Sequence, residues 1–192
     1  MVSAIVPRPI AFVSTQSPDG LGNLAPFSYF NAVASNPPVL MISITSHPDG
    51  REKDTLRNIR ETGEFVVNIS TESMAEAVNQ CSAQYPYGVN ELEKVGLTPM
   101  PSHQVKPTRV LESPIQLECK LYHLLPIGSG GAGSTVVVFG EIIEAHVHES
   151  LFDPAHPKNI LSQSLQPLSR LGGNDYGTLG RVFSLPRPGK TV

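Results

Sequence analysis

A β-rich domain carrying a few short helices is what this sequence predicts, and three observations carry that expectation. Eighteen prolines and sixteen glycines are spread along the 192 residues and punctuate short apolar runs instead of gathering in one block, which is the rhythm of strands joined by turns. The run Val39-Leu40-Met41-Ile42-Ser43-Ile44-Thr45 is nearly continuous in apolar and β-branched residues, as in a strand buried on both faces. Across 115–125, Ile115, Leu117, Cys119 and Leu121 alternate with Gln116, Glu118, Lys120 and Tyr122, the period-two pattern of a half-exposed strand. The length suits one domain over 1–192, since domains commonly run to roughly 100 to 200 residues.

Taken in order, residues 10–15 form an apolar run between Pro9 and the cluster Ser17-Pro18-Asp19-Gly20, so a strand ending in a hairpin turn is expected. A loop is expected over 22–36. Pro37-Pro38 then blocks helix and delivers the chain extended into 39–45, which should be a central strand. After the turn His47-Pro48-Asp49-Gly50, Leu56 and Ile59 share one helical face and Gly63 supplies a stop, so a short helix is expected over 53–63. Phe65-Val66-Val67-Asn68-Ile69 reads as a strand. Ser70 or Thr71 would cap the next helix, with Met74, Ala77, Val78 and Cys81 on one stripe. Asn90 would cap a single turn over 91–95, ahead of a connector containing Pro99, Pro101 and Pro107. The strand at 115–125 would pair antiparallel with 135–147 across Gly128-Ser129-Gly130-Gly131-Ala132-Gly133. The tail over 167–176 carries too little apolar content to form a core element.

The net charge is −3 with Lys and Arg scattered, which argues against nucleic acid or an anionic membrane surface and for a small diffusible partner. Cys81 and Cys119 lie far apart without a paired spacing, so neither a disulfide framework nor a zinc site is expected. No apolar run approaches the roughly 20 residues that span a bilayer, and the first residues lack a secretory pattern. A soluble, cytoplasmic protein is expected.

Several stretches carry possible chemistry, each beside a plainer reading. Gly128, Gly130 and Gly133 form a G-x-G-x-x-G, but a strand, Thr135-Val136-Val137-Val138-Phe139, follows where a dinucleotide fold needs a helix, so a hairpin loop is expected. His146 and His148 share a strand face and would need His156 at a spacing no metal motif has. Solvent-facing or structural histidines, and no metal site, are expected. No serine sits in a G-x-S-x-G elbow and neither cysteine has a base nearby in sequence, so nucleophilic catalysis has no carrier. Around Lys53, a cation at a helix start meets the positive end of the dipole unless an anion is there too. Arg51, Lys53 and Thr55 with free helix N–H groups would suit a phosphate. The plainer alternative makes Asp54 an ordinary N-cap and leaves the cations in solvent. Over 23–31, Ala25, Pro26 and Ser28 stand among Phe27, Tyr29 and Phe30, with Ser28 and Asn31 as hydrogen-bonding groups. The segment suits a flat ligand approached closely by backbone; the plainer alternative is an Ω-loop packed by its own aromatics.

The ordered set Arg8-Pro9-Ile10-Ala11-Phe12-Val13-Ser14-Thr15, Asn23-Leu24-Ala25-Pro26-Phe27-Ser28-Tyr29-Phe30, Asn36-Pro37-Pro38, Lys53-Asp54-Thr55-Leu56-Arg57-Asn58-Ile59, Gly63-Glu64-Phe65-Val66-Val67-Asn68 and Ser113-Pro114 resembles the flavin reductase-like, FMN-binding split-barrel family. Within it the match is to the flavoredoxin and flavoprotein-oxygenase-associated branch, and it extends to Ser169-Arg170-Leu171-Gly172-Gly173. Family members usually carry a further segment before the Arg-Pro. The resemblance implies a mainly β fold, a closed antiparallel Greek-key split barrel with flanking short helices, forming a homodimer with FMN near the subunit interface. It places Ser14 and Thr15 beside the flavin, Ala25, Pro26, Phe27 and Ser28 against the ring or ribityl chain, and Asn31 as a polar contact. Ser43 and Ile44 would lie along the ring, Lys53, Asp54 and Thr55 at the phosphate, and Arg8 and Arg170 at the phosphate, the partner subunit or a substrate anion. The implied activity is that of an NAD(P)H-dependent flavin reductase with no dedicated catalytic side chain, taking NADH or NADPH as donor and serving an acceptor or a partner oxygenase. A non-enzymatic FMN-carrying electron-transfer or flavin-storage protein is the alternative, and a pyridoxamine-phosphate-oxidase-like activity ranks behind both.

Overall fold

Ser17-Pro18-Asp19-Gly20 makes the turn its composition demands. Gly20 takes φ 89°, open to glycine without steric cost, and the Ser17 hydroxyl accepts the Leu21 N–H at 3.1 Å. In the computed structural model, which describes residues 2–185, 188 and 189, β1 (Arg8–Pro9) leads into β2 (Ala11–Gln16), and the turn folds it onto β3 (Gly22–Phe27), with Ala11 facing Phe27. There follow β4 (Phe30–Ser35), β5 (Pro38–Thr45), α1 (Asp54–Thr62), β6 (Glu64–Ile69), and α2 (Ala75–Gln80) behind a single 3-10 turn. Then come α3 (Glu91–Lys94), β7 (Pro99–Met100), β8 (Arg109–Val110), β9 (Ile115–Ile127) and β10 (Thr135–Val147). The chain closes with β11 (Phe152–Asp153), β12 (His156–Ile160), α4 (Ser162–Leu165), β13 (Ser169–Arg170) and β14 (Tyr176–Gly177).

Seven strands form one antiparallel sheet in the order β3-β2-β6-β9-β10-β5-β4. Alternation along β2 builds two cores. Ala11 and Val13 join Phe27, Leu40, Ile42, Ile44, Phe65, Val67, Cys119 and Val138, with Leu56 and Ile59 of α1. Residues from both ends of the sheet share that cluster, so the sheet curls around it and α1 plugs it; each buried Leu, Ile or Phe contributes roughly 1.5–3 kcal/mol. Ile10 and Phe12 point the other way and hold Leu24, Met74, Val78, Cys81, Leu92, Val110 and Leu168. α1 ends where the sequence indicates, at Gly63 in the left-handed conformation (φ 71°), whose N–H reaches the Ile59 carbonyl at 2.8 Å. Among the described residues no helix is long and apolar enough to cross a membrane.

Several expectations need correction. The barrel is not closed: β3 and β4 are the two edges of the sheet. Pro26 lacks an N–H and suits an edge strand, and β4 is largely exposed and broken by a register shift between Ala32 and Ala34. The loop expected over 22–36 is instead these two strands, because hairpin pairing to β2 and β5 outweighs the local Pro and Ser content. The strand at 39–45 stands next to an edge; Leu40, Ile42 and Ile44 bury one face, while on the other only Val39 is buried. In β9 the polar face is exposed only in its second half. Gln116 and Glu118 are buried beneath the proline-rich connector, whose N–H and C=O groups they satisfy. Asp54 is not the N-cap of α1; Lys53 is, and no side chain caps it. Thr71 stands at the N-cap of the Glu72–Met74 3-10 turn that runs into α2, though without a side-chain cap, whereas Asn90 caps α3 by accepting the Leu92 N–H at 3.2 Å. The tail contributes Leu168 to the second core and pairs β13 with β1 and β14.

Candidate functional site

The N-terminus of α1 is set between the end of β5 and the start of β3. Gly50 (φ 85°) closes the preceding turn on the His47 carbonyl at 2.9 Å. Asp49 takes the Arg51 N–H at 3.0 Å and its Nε at 2.7 Å, which draws Arg51 out to an exposed position. Lys53 then enters the helix in an extended conformation (φ −74°, ψ 146°) without a side-chain cap, so the first-turn N–H groups keep no intrahelical acceptor. Its ammonium stands 5.7 Å from the centre of the Phe27 ring. Among the described residues it meets no carboxylate within ion-pair distance, and burial pushes its pKa down. Next to it, burial pushes the Asp54 carboxyl up, against the smaller pull of His47, Arg57 and Arg51.

A buried polar network fixes this helix end. Asn23 donates its amide to Thr55 Oγ1 at 2.9 Å and to Thr15 Oγ1 at 3.3 Å, and Asn58 donates to Thr15 Oγ1 at 3.1 Å. Glu91 of α3 accepts the Leu24 N–H at 2.8 Å; burial pushes its carboxyl up, partly offset by that bond. Above the network lies a cleft of about 240 Å³, walled by Asn23, Ala25 and Pro26 of β3, Thr45 and Ser46, the first residues of α1, and the segment 82–85. Cys81 backs it, its thiol pushed up to about 12 by burial and then by Glu91, so it is protonated at neutral pH. A second, more apolar cleft of about 310 Å³ shares Lys53 and Ser46 and is lined by Ile44, Leu56, Pro126, Val136 and the glycine loop at Gly130 and Gly131. That loop is a hairpin connection between β9 and β10, tied to β5 by Ser46 Oγ donating to the Gly131 carbonyl at 2.9 Å.

The structure brings Ala25, Pro26, Lys53, Asp54 and Thr55 together on the first cleft, sets Phe27 against the Lys53 ammonium, and puts Ile44 on the second. Thr15 lies beneath as an acceptor in the network. Ser14 points to the other side of β2, donating to the Thr108 carbonyl and accepting from Asn68 Nδ2 at 3.3 Å. Ser28 accepts the Arg8 Nε at 3.4 Å, Ser43 is half-buried with its N–H on the Tyr29 carbonyl, and Asn31 is exposed on β4 with its side chain turned to the Ala32 N–H. The two arginines are engaged elsewhere. Arg8 is buried and donates to the carbonyls of Val2, Ile5 and Leu171. Arg170 donates to Gly173 and Asp175 carbonyls and lies over Tyr176. Sequence reasoning missed Asn23, Thr45, Ser46 and the segment 82–85. The Asn23 signal was its place opposite Thr15 in a hairpin; the others emerge only from the fold. Of the histidines considered for a metal, His148 pairs with Ser150 and His156 with Asp153, both away from His146.

The sequence matches the model of the Flavin reductase like domain over residues 2–163. The chain belongs to that family. The fold is similar to that of nitrilotriacetate monooxygenase component B from Bacillus cereus (39% identity, TM-score 0.89, covering 96% of this chain and 90% of that one). It is also similar to the 2-nitrobenzoate 2-nitroreductase NbaA of Pseudomonas fluorescens (33%, 0.85, covering 100% and 90%). A Shewanella frigidimarina protein with a split barrel domain aligns over 97% of this chain and 89% of its own (26%, 0.85). Membership supports a flavin cofactor, and the residues present fit a phosphorylated one: a partly desolvated cation without a counter-charge stands at a helix N-terminus beside a cleft.

Proposed function

We propose that this chain is an FMN-binding, NAD(P)H-dependent flavin reductase that passes electrons from a nicotinamide to an acceptor, with a partner oxygenase as the receiver suggested by its likeness to a monooxygenase component. The observation that carries the FMN assignment is Lys53, whose burial costs free energy until an anion arrives. In this reading Lys53 and the first-turn N–H groups of α1 hold the phosphate, with Asp54 and Thr55 at its edge. The Thr15–Asn23–Thr55 network orients those donors before any ligand binds. Ala25 and Pro26 present little side-chain bulk and let backbone approach the ribityl chain, while Phe27, Ser28, Asn31, Ser43 and Ile44 border the ring. Arg8 and Arg170 act by fixing the chain segments around the site. When bound, FMN supplies the hydride acceptance and onward electron transfer; the chain's own groups bind, orient and exclude water. Exposed Val33, Tyr122, Leu125 and Ile127 on β4 and the end of β9 suit burial against a second copy, in keeping with a homodimer.

The test is the absorbance spectrum of the FMN-loaded protein without oxygen, recorded after NADH and then NADPH. Flavin bands that bleach with either nucleotide are expected and name the donor. Bands that persist with both would turn the assignment to an electron carrier reduced by another protein, and failure to take up FMN would overturn it altogether.

A further inference from the structure

On the far side of the sheet from α1's cleft, four side chains distant in sequence converge. Glu144 and Glu118 face one another across the β10–β9 ladder, and His146 stands two residues along β10 on the same face. His103 reaches in from the proline-rich connector. His103 Nδ1 lies 2.7 Å from Glu144 Oε1, and His146 Nε2 lies 2.7 Å from Glu118 Oε1 and 3.6 Å from Glu144 Oε1. One ligand atom from each of the four lies within 4.8 Å of every other. We propose that His103, Glu118, Glu144 and His146 form a site for a divalent cation of the zinc class, separate from the flavin cleft, that fastens the connector to the β9–β10 hairpin.

Three features support it. First, like carboxylates directly opposed on a ladder repel, and Glu118 is fully buried, so a divalent cation held between them attracts both. Second, two imidazole nitrogens and two carboxylate oxygens are the donors zinc takes in a four-coordinate site, with bonds near 2.0–2.2 Å. Seating the ion requires the two close pairs to open and the wider pairs to draw in, and the adjustable members are the exposed His103 and the part-exposed Glu144. Third, the buried ligand is already oriented from outside the site. Glu118 accepts the N–H groups of His103, Gln104 and Val105 at 2.8, 2.6 and 3.2 Å, as ligating carboxylates are held by outer hydrogen bonds. Among the described residues Arg109 lies 3.9 Å from Glu118 Oε1, and it is committed to the Pro101 carbonyl. Entry is from the His103 side, which faces solvent.

The test uses the full chain stripped with a chelator and dialysed, then titrated with zinc chloride while metal content and melting temperature are read. One zinc per chain is expected, with a rise of about 5 °C at a hundredfold excess over Kd and no change in FMN affinity. His103→Ala and Glu144→Gln, both at the surface, should each weaken zinc binding at least tenfold and abolish most of the shift. No stoichiometric zinc, or an equal shift in wild type and both variants, would overturn the proposal and leave the four residues as a hydrogen-bonded brace.

Discussion

Two charged side chains are taken out of water on opposite sides of this sheet, and their surroundings differ. Glu118 accepts three connector N–H groups and lies against the His146 ring. Burial pushes its carboxyl up, but the N–H groups of His103 and Gln104 and then His146 outweigh that and hold it below the ordinary carboxylate range. Lys53 has only desolvation and a neighbouring aromatic ring, and its pKa falls. A buried charge held by several backbone N–H groups is fixed in place by the scaffold, whatever else it meets. A partly buried charge without such partners marks where the chain expects something from outside.

The largest effect that separates the two is Glu118→Ala. Orphaning three N–H groups and His146 should cost about 3–5 kcal/mol in urea unfolding, while FMN affinity of the folded fraction stays near wild type. An equally stable variant would dissolve the contrast. Thr55→Val touches the boundary between scaffold and site: Asn23 loses its 2.9 Å acceptor, so about 1–3 kcal/mol of stability should go together with part of the FMN affinity. Lys53→Met should leave the flavin-free protein as stable or slightly more so, since it removes a partly desolvated cation that meets no carboxylate among the described residues. Clear destabilisation would mean Lys53 serves the fold.

The smallest effects appear on titration; they share a sign and differ in their pH window. For Glu118 the folded pKa is depressed, so the folded state binds fewer protons and its contribution, present above the ordinary carboxylate range, is lost as pH falls through and below it. For Lys53 the folded pKa is depressed as well, but here the charged form is disfavoured. Between that pKa and the ordinary value of 10.5 the unfolded chain binds more protons, so the flavin-free protein gains stability as pH rises through this window. FMN affinity should fall over the same window as Lys53 loses its proton. Urea midpoints of wild type and Lys53→Met across that range isolate the term.

Much of the scaffold could be read along the chain because its signals are local. Asp19-Gly20 specifies a hairpin, Gly63 a helix stop, and the glycine run before Thr135 a strand connection; each depends on backbone conformation at a few residues. The misreadings share a cause in tertiary context. Pro26 and the hydroxyl residues of 22–36 look like loop until the strand is seen to be an edge. Glu118 looks solvent-facing by alternation until the connector folds over it. At the site, the resemblance pointed to Lys53, Asp54 and Thr55, which do meet Ala25 and Pro26 on one cleft. It could not reveal that Arg8 and Arg170 donate to backbone carbonyls: the Arg8 bond to Leu171 spans 163 residues, and the Arg170 bonds to Gly173 and Asp175 depend on how the backbone turns back after β13. The convergence of His103 and Glu118 with the Glu144/His146 pair is hidden for the same reason.

The central claim, that Lys53 stands ready for the phosphate of FMN, is tested most directly by comparing the affinities of wild type and Lys53→Ala for FMN and for riboflavin. Wild type should prefer FMN, and the substitution should weaken FMN about 10- to 100-fold, as expected for losing a charge-assisted contact of about 1.5–3 kcal/mol, while riboflavin binding scarcely changes. Equal affinity of wild type for the two flavins, or an equal loss of both on substitution, would contradict it.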